Sequence, residues 1–351
     1  MVEDGMNTIP KQQPGLFDYD NRMKKLDRGP DPLARLNARI DWKIFRKDLE
    51  CAVEKEARGP GGRPRHDVVM RFKVLVLQRY DNLSDEQTEY QINNRLSFQK
   101  FLGLTLSDSV PDQKTIWLFR EVLIRRGQVK QLFRRFETHL NEAGLMGREG
   151  QMIDASFVDV PRQRNSREEN AEIKQGTVPE SFQQNENRME QKDVAARWAK
   201  KGEDVHDGYK NHVKADRTTK LIEDYEVTDA SVHDSQVVED LVETGDGIVH
   251  ADSAYTGEAI ETILEEHGVK GEICEKGYRN HPLTKAQKKR NRKKSKIRVR
   301  VEHIFGFMTN TMKDGLNMRW IGMSRIPAGI GLLNLAYNLA RYEQILRLRL
   351  A

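Results

Sequence analysis

The sequence predicts an α/β fold in which a mixed-sheet core follows an all-helical N-terminal domain. Three observations predict it. From Leu33 to about Gly144, apolar residues recur at helical spacing nearly throughout. At Gly150 the pattern changes to short β-rich runs. From there the elements order as three strands, helix, strand, helix, strand, helix. A meander followed by strand–helix units gives a mixed sheet with helices on its faces.

Residues 1–30 are polar and mixed in charge and read as a flexible arm. Residues 31–145 read as about five helices. Val68, Val69, Phe72, Leu75, Val76 and Tyr80 form one helical face. Ser84 with Gln87 makes a capping-box pattern before the next helix. Phe98, Phe101 and Leu102 continue an apolar face, and Asp112 is placed to cap the helix carrying Ile116, Phe119 and Leu123.

Residues 146–351 hold the sheet. A strand at 152–160 is ended by Pro161. Residues 162–201 are rich in Gln, Asn, Glu and Lys, with few core candidates beyond Phe182 and Trp198, and read as a polar insertion or long loop. Strands at 209–215 and 221–228 are close enough to be antiparallel neighbours. A helix at about 235–243, a buried-type strand at 248–252, a helix at 257–267 and a strand at 269–274 follow. A basic segment, 284–300, precedes a helix starting near Arg298, and a last helix spans about 327–348. This order matches the ribonuclease H-like architecture, which by itself does not fix the chemistry.

Lys and Arg number 59 against 54 Asp and Glu, a net charge of +5. So modest an excess matters only where it is concentrated. Cys51 and Cys274 are far apart and form neither a disulfide framework nor a zinc pattern, which suits a reducing cytosol. The first residues lack the apolar core of a signal peptide. No run approaches the ~20 apolar residues of a membrane span. The most apolar region, 326–340, is soon followed by Arg341, Glu343 and Arg347 and reads as a buried helix.

Three carboxylates stand out. Asp154 lies within the first strand, where period two puts it on one face with Ser156 and leaves Asp159 on the other. A charged carboxylate there is costly to bury unless it is paired or binds a metal. Asp252 ends a buried strand before a turn and a helix, the place where α/β sheets put ligand sites. Glu302 lies early in a helix whose Val301, Ile304, Phe305, Met308 and Met312 form the buried stripe. Arg298, Glu302, Thr309 and Lys313 lie on or near its opposite face. Two Asp and one Glu suffice to hold a pair of Mg²⁺ ions about 3.5–4 Å apart, which can activate a water and stabilise a leaving oxygen. A plainer reading stands beside this one. Asp154 bonds a neighbouring backbone group, and Arg298 and Glu302 form an ordinary helical ion pair four residues apart.

Five blocks make the chain recognisable: 152–159 (MIDASFVD), 208–212 (GYKNH), 227–235 (VTDASVHDS), 251–255 (ADSAY) and 300–303 (RVEH). They resemble the successive blocks of bacterial insertion-sequence transposases, nearest to the insertion sequence five group of the insertion sequence four superfamily. The stretches 63–66 (RPRH), 97–104 (SFQKFLGL) and 110–116 (VPDQKTI) resemble that group's helical domain. The resemblance implies a DDE catalytic domain with Asp154, Asp252 and Glu302 as ligands of Mg²⁺, with Mn²⁺ as a substitute. It implies water-driven cleavage at transposon ends and attack of the freed 3′-hydroxyl on target DNA. It also implies double-stranded inverted-repeat ends and target DNA as partners, a homodimer in the DNA complex, and a bacterial or archaeal cytoplasm with no membrane partner. In the superfamily's third block, of Tyr, Arg, Glu and Lys, Arg298 and Glu302 fit. Ser295 takes the Tyr position and Thr309 the Lys position, with Lys313 one turn on as a candidate substitute.

Ten cations crowd 285–300, more than the whole net excess: Lys285, Lys288, Lys289, Arg290, Arg292, Lys293, Lys294, Lys296, Arg298 and Arg300. Next to Glu302, this run reads as a phosphate-binding strip, the alternative being a solvated loop. Lys288, Lys289, Arg290, Arg292, Lys293, Lys294, Arg298 and Lys313 are the DNA-contact candidates. Arg63, Arg65, Arg71 and Lys73 are candidates for reading the ends, or an ordinary charged helix face. Trp198 reads as a base-stacking or local packing residue. His206, His212, His233 and His250 read as structural, with His233 a candidate to assist the acids. The leading expectation is a Mg²⁺-dependent transposase. The alternatives are a ribonuclease H-like nuclease that does not join strands and an inert transposase-derived DNA-binding protein; three intact acids argue against the second.

Overall fold

The computed structural model describes residues 15–54, 65–146, 149–279 and 281–349. Of residues 1–30, expected to be a flexible arm, 1–14 lie outside the described residues, and Asp18–Arg28 form the first element, α1. Asp18 and Asp20 in its first turn and Lys25 and Arg28 in its last complement the helix dipole.

Among the described residues between 31 and 145 there are seven α-helices: α2 (Pro32–Arg39), α3 (Arg46–Val53), α4 (Val68–Tyr80), α5 (Asp85–Asn94), α6 (Leu96–Leu102), α7 (Gln113–Arg125) and α8 (Gln128–Glu142). About five were expected. The chain also breaks at Ile40 and Arg95, where no Gly or Pro signals a boundary. The expected caps are present. Ser84 and Gln87 form a reciprocal box, and Asp112 accepts from the Thr115 amide at 2.6 Å. Phe45, Phe72 and Phe101 are buried to within 1%, and Trp42 packs edge-on to Phe101 at 5.5 Å.

The sheet comprises β1 (Gln151–Asp159), β2 (Arg197–Lys201), β3 (Asp204–Asp216), β4 (Ile222–Asp229), β5 (Ile248–Ala251) and β6 (Lys270–Ile273). Its main path runs β4-β3-β1-β5-β6. β1, β3 and β4 are antiparallel neighbours, whereas β1–β5 and β5–β6 are parallel. This is the ribonuclease H-like arrangement. β2 is an addition: it pairs with the outer part of β3, ahead of the residues that pair with β4. At Gly208 of β3 a Cβ would fall 2.3 Å from the Val158 carbonyl, so only glycine lets β3 approach β1 there.

Residues 162–201 carry three short helices, α9 (Arg167–Lys174), α10 (Glu180–Gln183) and α11 (Glu186–Glu190), before β2. Phe182 is buried, as its apolar character in a polar tract suggests, and Trp198 is 53% exposed. Buried Asp193 accepts from the Tyr209 hydroxyl at 2.7 Å and the Gly322 amide at 2.7 Å, which ties this insertion to the core.

α12 (Val238–Leu241) and α13 (Glu258–Glu266) cover one face of the parallel strands over a small core that includes Ile153, Val249, Tyr255 and Ile260. The basic segment is itself a helix, α14 (Lys285–Arg298), with a Thr284–Gln287 capping box. Right-handed helical backbone continues through a 3₁₀ turn into α15 (Glu302–Gly306) and a π-turn at Phe307–Thr311. The helix expected near Arg298 thus begins at Lys285.

α16 (Ile326–Arg349) packs against α4, α8 and β4, and one hydrophobic cluster runs from Leu33 through Leu140 and Val213 to Ile345. Two buried amides fix α16 to the sheet. Asn334 exchanges hydrogen bonds with Asn211 at 2.8 and 3.1 Å, and Asn338 bonds both backbone groups of Ile222. No helix among the described residues is long and apolar enough to cross a membrane.

Candidate active site

The parallel pairing of β1 with β5 sets Gln151 against Val249 and Met152 against His250. Continuing that register by one period sets Asp154 beside Asp252, where β5 ends and the strands part. Neighbouring strands lie about 4.8 Å apart, so the register brings the two acids together from opposite sides of a long sequence gap. Asp154 Oδ1 accepts from the Ala155 amide at 2.8 Å. Asp252 Oδ1 caps the 3₁₀ turn Ser253–Tyr255 by accepting from the Ala254 amide at 2.7 Å. Asp159 lies on the other face of β1 and pairs with His206 at 3.2 Å.

Burial pushes the Asp154 carboxyl up to about 6, and the charge of Asp252 adds to the rise. The Ala155 amide and the Arg298 guanidinium act against it. The side chain of Asp154 is 14% exposed. A largely dehydrated acid beside a second acid is under an electrostatic strain that a cation relieves.

Glu302, the first residue of α15, is 57% exposed. It joins the aspartates through Arg298, which donates from Nη1 to Asp154 Oδ2 at 3.1 Å and from Nη2 to Glu302 Oε1 at 3.1 Å. A single guanidinium therefore lies between the first and third acids. Among the described residues no three His, Cys, Asp or Glu side chains are grouped so as to hold a metal ion. The donor chemistry fits a hard divalent cation at Asp154 and Asp252.

Sequence reasoning missed Tyr255, a neighbour of this pair, and the ion pair of Lys210 with Asp234 beside Tyr255. Tyr255 is 2% exposed, and its hydroxyl has no hydrogen-bond partner among the described residues. Burial, then the charges of Asp154, Asp234 and Asp252, push that hydroxyl well above its usual value. Lys210 donates to Asp234 at 2.8 Å and to the Val232 carbonyl at 2.7 Å. All three residues lie inside the recognised blocks, and that position was the available signal. Of the histidines, His212 bonds Thr228 at 2.9 Å and is pulled down to about 4, chiefly by burial. His233 bonds Ser235 at 2.7 Å. Buried His250 has no partner for either ring nitrogen among the described residues.

The cations divide. Arg290, Lys294 and Arg298 follow one another at one-turn steps along the inward face of α14. Arg290 grips Glu275 through two nitrogens at 2.7 and 3.1 Å, and Lys294 donates to the Ile273 carbonyl at 2.8 Å. Lys288, Lys289, Arg292 and Lys293 are exposed, and among the described residues they form no ion pair. They make a cationic face that ends at Arg298.

Lys313 does not join Glu302. Its backbone is left-handed, with φ of 51°, and its amine pairs with Asp81 at 3.0 Å. Thr309 bonds back to the Phe305 carbonyl of its own helix at 3.0 Å. In the helical domain, Lys73 is buried over the rings of Phe101 and Trp42, away from solvent. Arg63 lies outside the described residues.

A family model described as "Transposase DDE domain" matches residues 146–339, and another described as "Transposase domain" matches residues 20–122. Among solved structures, the cryo-EM structure of piggyBac transposase synaptic complex with hairpin DNA is similar at 10% sequence identity and a TM-score of 0.43. The match covers 93% of this chain and 77% of that one.

Proposed function

The chain belongs to the transposase DDE-domain family, and from that premise we propose that it cuts DNA at the ends of a mobile element and joins the freed 3′-hydroxyl to target DNA. The observation that carries the proposal is the register of β1 and β5, which sets Asp154 beside Asp252 within the matched domain. Its finer assignment to the insertion sequence five group rests on the sequence blocks alone.

In this reading Asp154, Asp252 and Glu302 hold divalent metal, Mg²⁺ or Mn²⁺, as members of such families generally do. When bound, that metal would lower the pKa of an attacking water or 3′-hydroxyl and steady the leaving oxygen. The protein's own parts do the rest. Asp154 sits on β1 and Asp252 caps the turn that follows β5, and Glu302 sits on a helix continuous with the cationic face of α14. Lys288, Lys289, Arg292 and Lys293 draw in the phosphate backbone and position it without reading sequence. Arg298 stands at the junction. A phosphate at this point competes with the acids for its guanidinium, and its departure frees Glu302 to turn toward the aspartates.

The test is strand transfer with labelled end DNA and Mg²⁺. Cleaved and joined products are expected, and Asp154→Asn, Asp252→Asn or Glu302→Gln is expected to remove both by two orders of magnitude or more, on the order of 3 kcal/mol of barrier. Cleavage without joining identifies a nuclease. Binding without cleavage identifies an inert DNA-binding descendant. Cleavage undiminished in the variants removes the metal-site assignment.

A further inference from the structure

We propose that the helical domain carries a second DNA-phosphate site, a groove of about 580 Å³ lined by Arg65, Arg71, Arg125 and Arg126. The inference rests on the reading of the chain as a DNA-binding enzyme, and it names a place on the molecule that the active-site acids and α14 do not touch.

The groove lies between the end of α3, the start of α4 and one face of α7. None of its four arginines forms an ion pair among the described residues, and the acids around it are engaged elsewhere. Asp67 pairs with Arg46 at 2.8 Å, and Glu121 pairs with Arg325 at 3.0 Å. Two of the heads are held in place by backbone oxygens. Arg126 donates to the carbonyls of Cys51 at 2.8 Å and Glu54 at 3.1 Å, and Arg125 donates to that of Glu121 at 3.3 Å. Arg71 lies 4.5 Å over the ring of Phe119, and its buried Nε has no hydrogen-bond partner among the described residues.

Four arginines that line one groove with no ion pair among the described residues repel one another, and the charge of Asp67 offsets this only in part at Arg71. Arginine stays charged under these conditions, so an anion is what relieves it. A phosphodiester fits on three counts. Its oxygens match the guanidinium fork. Its charge matches the rim. Leu118, 42% exposed, and the Phe119 ring offer an apolar floor on which a deoxyribose can rest. Burial, then the charge of Arg65, pull Arg71 below its usual value against the attraction of Asp67.

The test uses the full-length protein and fluorescence anisotropy of a labelled end duplex over a range of salt. Arg65 and Arg125 are exposed, so Arg65→Gln with Arg125→Gln leaves the core intact. The double variant is expected to lower the slope of log K against log salt by about 2, given roughly 0.9 per phosphate contact. The pair Arg65→Lys with Arg125→Lys is expected to recover most of that slope. If the double variant melts early, Arg65→Gln alone is expected to lower the slope by about 1. A parent-like slope in these variants, alongside a reduced slope in Lys288→Gln with Arg292→Gln, overturns the groove and leaves the DNA reading standing. No salt-dependent binding by the parent protein overturns both.

Discussion

Nη1 of Arg298 lies 3.1 Å from Oδ2 of Asp154, bridging 144 residues of sequence. The guanidinium thus stands where the proposed metal would draw on the same oxygen. Arg298→Gln is expected to raise the affinity of the DNA-free protein for Mn²⁺ by roughly fivefold, since a charge pair of about 1 kcal/mol is removed from competition. DNA cleavage by the same variant is expected to fall. Calorimetric titration with Mn²⁺ measures the first effect. An affinity equal to or weaker than the parent's means that Arg298 does not compete with metal.

The two sides of α14 are expected to behave differently. Replacing Lys288, Lys289, Arg292 and Lys293 by Gln should lower the salt slope of DNA binding by about 3 to 4. Replacing Arg290 or Lys294 should leave the slope near the parent's and lower the melting temperature, because each anchors the helix to the end of β6. Equal loss of slope from both sets would show that the inward cations also meet phosphate.

Lys73 is pulled down to about 8 by burial, against the attraction of Asp67. A lysine whose folded value lies below its usual 10.5 penalises the fold at neutral pH, and the penalty fades as pH rises from about 8 to 10.5. Lys73→Met is therefore expected to melt a few degrees higher at pH 7. That advantage should shrink above pH 8, and DNA affinity should stay unchanged. A loss of DNA affinity without a loss of stability would return Lys73 to the DNA-contact set.

Glu223 lines a groove of about 630 Å³ with Glu243 and Asp246. Burial pushes its carboxyl up from 4.5 to about 8; Asp216 and Asp246 add to the rise and Lys214 opposes it. The folded chain keeps a proton that the unfolded chain releases, so this residue costs stability progressively from about pH 4.5 to 8. Glu223→Gln removes that slope. Thermal melts should show the variant gaining on the parent between pH 5 and 8 and holding a constant lead above. Parallel curves would mean that Glu223 ionises at an ordinary pH.

Local signals in the sequence were the dependable ones. Ser84 and Asp112 announce caps because a cap needs only a side-chain oxygen and an amide two or three residues on. Strand parity separates Asp154 from Asp159 for an equally local reason. α14 was legible and misread. A run of Lys and Arg reads as a connecting segment, yet both residues are good helix formers, and the Thr284–Gln287 box marks the start. Lys313 failed as a substitute because counting one turn onward assumes an uninterrupted α-helix. The π-turn at Phe307–Thr311 and the left-handed backbone that follows carry Lys313 to Asp81 instead. The partners of Arg298 and the convergence around Tyr255 depend on strand register over more than a hundred residues, which no local pattern encodes.

α16 is the last helix described, yet it fills the middle of a core that begins at Leu33. During synthesis the helical segment leaves the ribosome first and must wait for residues 326–349 before its apolar face is covered. Until then the nascent chain is an aggregation-prone intermediate with every acid of the candidate site already made. A premature stop that spared Asp154, Asp252 and Glu302 would still remove the centre of the fold rather than its edge. Folding, and with it any power to break DNA, is thereby made conditional on translation as far as the end of α16.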